Sequence, residues 1–136
     1  QLAFFLKEYG YDITMFDQPR ENRVRLHTAA TYLGHNILLI REELAKNFAF
    51  LAYDKITVPY EFRRAVNAIM VNGTLLMPAG YAAVADEITR LGIPVIELNV
   101  SEFEKMNGGL KCLSLRLPLV KKDNIIALPS KNKMAA

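Results

Sequence analysis

Hydrophobic positions along this 136-residue chain fall into blocks that switch between strand and helix periods. Residues 36–40, Asn-Ile-Leu-Leu-Ile, are a short apolar run of the kind that forms a buried strand. From 41 to 52, Leu44, Phe48 and Leu51 recur on one helical face and predict a helix. Residues 55–59 predict a further strand. Residues 68–71 and 74–77 predict two strands joined by Asn72-Gly73, a strong hairpin signal. A second helix is expected over 80–91, with Tyr81, Val84, Ala85, Ile88 and Leu91 at helical spacing and Gly92 as its stop. Residues 93–100 predict the next strand.

These blocks repeat. Leu38 aligns with Leu75 at an offset of 37, and Tyr53 with Gly92 at an offset of 39. Each unit is strand, strand, helix, strand. Residues 6–16 match 88–98 as a helix end, a glycine stop and a strand, without the two strands that should precede them. Residues 110–117 resemble the opening of another unit. Units of this kind bury both faces only against neighbours, so a larger repeat protein or an assembly is expected. Residues 121–136 are polar and irregular apart from Ile125-Ile126-Ala127-Leu128, and predict a tail or an edge strand.

Composition narrows the class without identifying it. With 51% hydrophobic and 23% charged residues, the chain has enough apolar material for a real core. The net charge of +3 is scattered apart from Lys121-Lys122 and the Lys-rich tail, so no nucleic-acid footprint is expected. No apolar run approaches the ~18 residues of a membrane span. The first residues lack the basic start of a signal peptide, and one cysteine excludes an intramolecular disulfide framework. A cytoplasmic location is therefore expected. Two histidines and one cysteine do not stand at ligand spacing, so neither a metal nor a cofactor is expected.

The single cysteine is the sharpest chemical feature. Cys112 follows Gly108-Gly109 and begins an alternating stretch. As a strand, it would place Cys112, Ser114 and Arg116 on one face and Leu113, Leu115 and Leu117 on the other. A thiol becomes a nucleophile when a histidine can activate it. His35 falls in a hairpin turn and is expected to be solvated. His27 lies in the strand-like segment 24–32, at the first strand of its unit, as Cys112 is in its own. If the units stand around an axis, equivalent first strands share a centre, and His27 would meet Cys112. A hydrogen-bonded structural histidine is the alternative at this point.

Residues 53–59 (Tyr-Asp-Lys-Ile-Thr-Val-Pro), Ala65-Val66-Asn67-Ala68 and the segment Ser101-Glu102-Phe103-Glu104-Lys105-Met106-Asn107-Gly108-Gly109-Leu110-Lys111-Cys112-Leu113-Ser114-Leu115-Arg116-Leu117 resemble the C-terminal half of dimethylarginine dimethylaminohydrolases. Leu26-His27 falls where that family has its catalytic Leu-His. The resemblance spans roughly residues 5–118 and is most specific around the cysteine. It implies a pentein-like α/β propeller of strand-strand-helix-strand repeats, of which this chain would hold about two complete units and partial ones at each end. Residues 1–120 would be the C-terminal part of the hydrolase domain, and 121–136 the tail. Arginine deiminases of the wider superfamily typically carry an Asp two residues after the catalytic His; Ala29 stands there and favours the dimethylargininase branch.

What the resemblance implies is a hydrolase of C–N bonds in linear amidines. Cys112 would attack the guanidinium carbon, and His27 would protonate the departing amine and then activate a water, giving citrulline. From its position in the first strand of its repeat, Asn67 is expected either to line the centre and bind substrate or to play a structural role. The family takes its guanidinium-binding acids, and an arginine for the substrate carboxylate, from the half before the histidine; Asp12 and Asp17 carry no mark of that role. The expected partners are a guanidino small molecule and either the missing N-terminal half or another copy of the chain. The competing readings are a non-catalytic guanidino-binding protein and a structural repeat module whose cysteine is only buried.

Overall fold

A computed structural model describes residues 2–15 and 24–115. Arg116, Asp17 and the expected tail, including 125–128, lie outside the described residues.

Both expected hairpins form. Strand β1 (Ala30–Gly34) pairs antiparallel with β2 (Ile37–Arg41), which pairs parallel with β3 (Asp54–Val58). Strand β4 (Ile69–Val71) pairs antiparallel with β5 (Thr74–Pro78), which pairs parallel with β6 (Val95–Leu98). The turns have the left-handed pair that a two-residue hairpin needs: His35 and Asn36 at φ 48° and 63°, Asn72 and Gly73 at φ 49° and 78°. The fold is thus mixed α/β with two small mixed sheets, and among the described residues the propeller is not closed.

The central strands explain their own composition. β2 is buried on both faces, as a strand flanked by layers must be. Leu39 enters a core with Ile56, Val58, Leu75, Met77 and Ile88, drawn from both units. Leu38 and Ile40 enter a second core with Ala29, Leu44 and Phe50. Between β5 and β6, helix α4 (Ala82–Arg90) buries Val84, Ala85 and Ile88, and Gly92 at φ 80° ends it.

Four expectations fail. The helix over 41–52 is only one turn, α3 (Glu42–Ala45), followed by a 3-10 turn at Phe48–Phe50. Asn47 breaks it. Its extended backbone and its side chain, which accepts the Ala49 N–H at 3.0 Å, start a new turn. The change of phase buries Phe50 and leaves Phe48 and Leu51 exposed. At the N-terminus, α1 (Leu2–Lys7) ends at Gly10 as expected, but 11–15 form no strand. His27 is on a short helix, α2 (Leu26–Ala29), rather than in a strand, because β1 begins only at Ala30.

The fourth failure concerns the cysteine. Residues 110–113 form a 3-10 turn after α5 (Ser101–Lys105), with the Cys112 N–H donating to the Gly109 carbonyl at 2.9 Å. Leu113 and Leu115 do not find a core, with Leu115 85% exposed and Leu113 exposed too, while Leu117 lies outside the described residues. Leu110 is the anchor instead, packed with Ile69 and Val100.

Candidate functional site

Three segments that precede or open their units converge: 27–31, 66–68 and 109–112. The first link is Thr31, the one buried polar residue among those described. Its hydroxyl donates to the Val66 carbonyl at 2.6 Å, which ties β1 to the approach of β4. The second link is Lys111. Its ammonium donates to the Ala30 carbonyl at 2.7 Å and to Thr31 Oγ1 at 2.6 Å, so Thr31 accepts from one segment while donating to another. These are charge-assisted bonds, the stronger kind. They strap the cysteine turn to the strand that directly follows His27.

Asn67 is the third link. It follows the 3-10 segment Tyr60–Val66 and precedes β4, instead of lying in the first strand as expected. Its Oδ1 accepts the Lys111 backbone N–H at 3.2 Å. A Cβ at Gly109 would collide with the Asn67 amide. The second glycine is therefore required for close approach. Asn67 holds the turn on which Cys112 stands.

Cys112 is exposed, and so is His27. No hydrogen bond joins them among the described residues. His27 lines a cavity of about 580 Å³ together with Thr31, Ala68, Ile69, Lys111 and Ser114, and Cys112 itself is not part of that lining. Cys112 is thus bracketed in sequence by two wall residues. His35 sits in its turn, exposed, and is not part of this lining, although its neighbour Gly34 is. A smaller cavity of about 170 Å³ is lined by Asn67 and Gly108 together with Arg41, Arg63, Arg64 and Glu104. Burial holds the Arg41 guanidinium below its ordinary value; Glu43 opposes that shift and Arg63 adds to it.

Before His27, the described carboxylates are Glu8 and Asp12, both exposed. Among the described residues no group of three His, Cys, Asp or Glu side chains could hold a metal ion, and no helix is long and apolar enough to cross a membrane. Sequence reasoning missed Lys111 and Thr31. A lysine beside a cysteine carries no local sign that it reaches 81 residues back.

Comparison with known proteins places this arrangement. The chain is 42% identical over 96 residues to the N(G),N(G)-dimethylarginine dimethylaminohydrolase of Pseudomonas aeruginosa, covering 71% of this chain and 38% of that protein. It is 34% identical over 87 residues to an uncharacterized protein of Aeropyrum pernix, covering 62% of this chain and 32% of that one. Among solved structures, a dimethylarginine dimethylaminohydrolase adduct with 4-chloro-2-hydroxymethylpyridine superposes with a TM-score of 0.78 at 35% identity, over 85% of this chain and 46% of that one. The Pseudomonas aeruginosa enzyme, as a cysteine-to-serine variant complexed with citrulline, gives the same TM-score of 0.78 at 34% identity, over 85% of this chain and 45% of that one. The chain spans less than half the length of these relatives. No protein-family model matches it.

Proposed function

Because this chain belongs to the dimethylarginine dimethylaminohydrolase family, we propose that it carries the nucleophile and the proton-transfer histidine of a cysteine hydrolase acting on guanidino compounds. One observation carries the reading. An exposed thiol stands on a turn that Lys111 and Asn67 lock against the segment following His27, with His27 and the residues flanking Cys112 sharing one cavity.

The chemistry suits these groups. The Cys112 thiolate attacks the guanidinium carbon, and a C–S bond forms. The C–N bond to the alkylated nitrogen breaks, and His27 gives its proton to the departing dimethylamine or methylamine. A thiouronium adduct remains. His27, now neutral, takes a proton from water, whose oxygen adds to the same carbon. Collapse breaks the C–S bond and releases the ureido product, citrulline for a methylated arginine, with the thiolate restored. An open separation between thiol and imidazole is compatible with this sequence, since such contacts tighten when substrate binds. Asn67, which lines the smaller cavity and not the one that His27 lines, serves by holding the turn.

The guanidinium needs carboxylates around it, and Glu8 and Asp12 are exposed on a segment without pairing partners. The rest of the fold, in a longer chain, a complementing half or a second copy, supplies the clamp in this proposal. Without it the chain is a guanidino-binding or structural module. The test is citrulline release from dimethylarginine by this chain, alone and with the N-terminal half of a relative. Turnover in either mixture should disappear in Cys112→Ser, and turnover retained by that variant sinks the mechanism. Binding of arginine analogues without turnover in both mixtures supports the module instead.

A further inference from the structure

The smaller cavity holds a polar group that the fold leaves without a partner. Arg41 ends β2, and its Nε is buried with no hydrogen-bond acceptor among the described residues. A buried donor without an acceptor is rare, and a charged one is costly to leave so. Two more guanidiniums line the same space. Arg63 lies over the Tyr60 ring at 4.1 Å and donates to the Tyr60 carbonyl at 3.0 Å. Arg64 pairs with Glu104 at 3.0 Å. Three cations therefore face one carboxylate in the wall.

We propose that this cavity, lined by Arg41, Arg63, Arg64, Asn67 and Gly108, binds a small oxyanion, with the Arg41 fork as its principal donor. Guanidinium forks match the planar or tetrahedral oxygens of carboxylate and phosphate, and they desolvate more readily than an ammonium. The size fits. A volume of about 170 Å³, roughly six waters at ~30 Å³ each, has room for a phosphate or a small carboxylate. An anion there would accept from the guanidiniums that line the cavity and offset the repulsion between Arg41 and Arg63. The assignment stands whether or not Cys112 turns over a substrate.

The test is thermal unfolding of the full chain at constant ionic strength, with sodium chloride replaced stepwise by inorganic phosphate in one series and by acetate in another. A saturable rise of the midpoint is expected in at least one series. The stronger series tells whether the site prefers a phosphate or a carboxylate. Arg41→Met should abolish the rise. Glu104→Gln, which removes the one carboxylate in the wall, should tighten anion binding several-fold, and it decides the matter should Arg41→Met not fold. No saturable rise in either series overturns the site, as does a rise of unchanged size in Arg41→Met or anion binding that weakens in Glu104→Gln.

Discussion

The unit at residues 30–58 and the unit at 69–98 have the same sheet, one antiparallel pair followed by one parallel pair, on different connections. In the second, α4 runs nine residues and places Val84, Ala85 and Ile88 in a core that also contains Leu33, Leu39, Ile56 and Val58 of the first. In the first, α3 is a single turn, and its Leu44 belongs to a separate cluster with Ala29, Leu38, Ile40 and Phe50. Sheet pairing defines the repeat, and a helix persists where a neighbouring unit covers it. Where no neighbour among the described residues does so, a local signal such as the Asn47 cap is enough to break it.

The comparison is most exposed to core truncation. Ile88 is fully buried between the units. Ile88→Ala should cost in the upper half of the roughly 2–5 kcal/mol range for such changes, because walls from two units cannot both collapse into the void. Leu44 is also buried but has one unit around it, so Leu44→Ala should fall at the lower end, about 2 kcal/mol. Urea unfolding of both variants measures the difference. Equal losses would mean that the first connection is held as firmly as the second.

The hydrogen-bonded link between the units comes next. Thr31→Val keeps the shape of the side chain but removes the donor to the Val66 carbonyl and one acceptor of Lys111. A loss of about 1–3 kcal/mol is expected, with Thr31→Ser near the parent. The variant should also loosen the turn that carries Cys112, and this is read as a change in the rate of thiol alkylation against the parent. An unchanged midpoint together with an unchanged alkylation rate would show that strand packing alone joins the three segments.

The same contrast explains how far the chain could be read from its residues. Asn72-Gly73 and the apolar runs of β2 and β5 are local signals, and the strands they predict are present. The repeat offset correctly aligned the central strands. The helix over 41–52 was misplaced because apolar spacing says nothing about Asn47, whose cap outweighs the spacing over so short a stretch. The strand at 112–117 was misplaced for a different reason. Its alternation is real, yet Lys111 is tied to β1 and Leu110 to β4, contacts far away in sequence. The repeat and the family resemblance singled out His27, Asn67 and Cys112. The structure brings segments 27–31, 66–68 and 109–112 together through the side chains of Thr31, Asn67 and Lys111, and does not join His27 to Cys112. The side chains that fasten them, Thr31 and Lys111, had no signal, since each acts on a partner at least 35 residues away.

The smallest effect lies in the turns, where the two units can be made alike. The repeat offset pairs His35 with Asn72 and Asn36 with Gly73. All four are left-handed, at φ 48° and 49° for the first pair and 63° and 78° for the second. A left-handed residue with a side chain costs roughly 1–2 kcal/mol, less for asparagine and least for glycine. Asn36 recovers part of this by donating from its side chain to the Ala52 carbonyl at 2.8 Å, while His35 is exposed and makes no such bond among those described. His35→Asn, which gives the first hairpin the residue of the second, should therefore stabilise by about 0.5 kcal/mol. Gly73→Ala, at φ 78°, should destabilise by about 1 kcal/mol. Thermal midpoints of the two variants should move in opposite directions; a shift of both in the same direction would show that the hairpins are not equivalent in the way their offset implies.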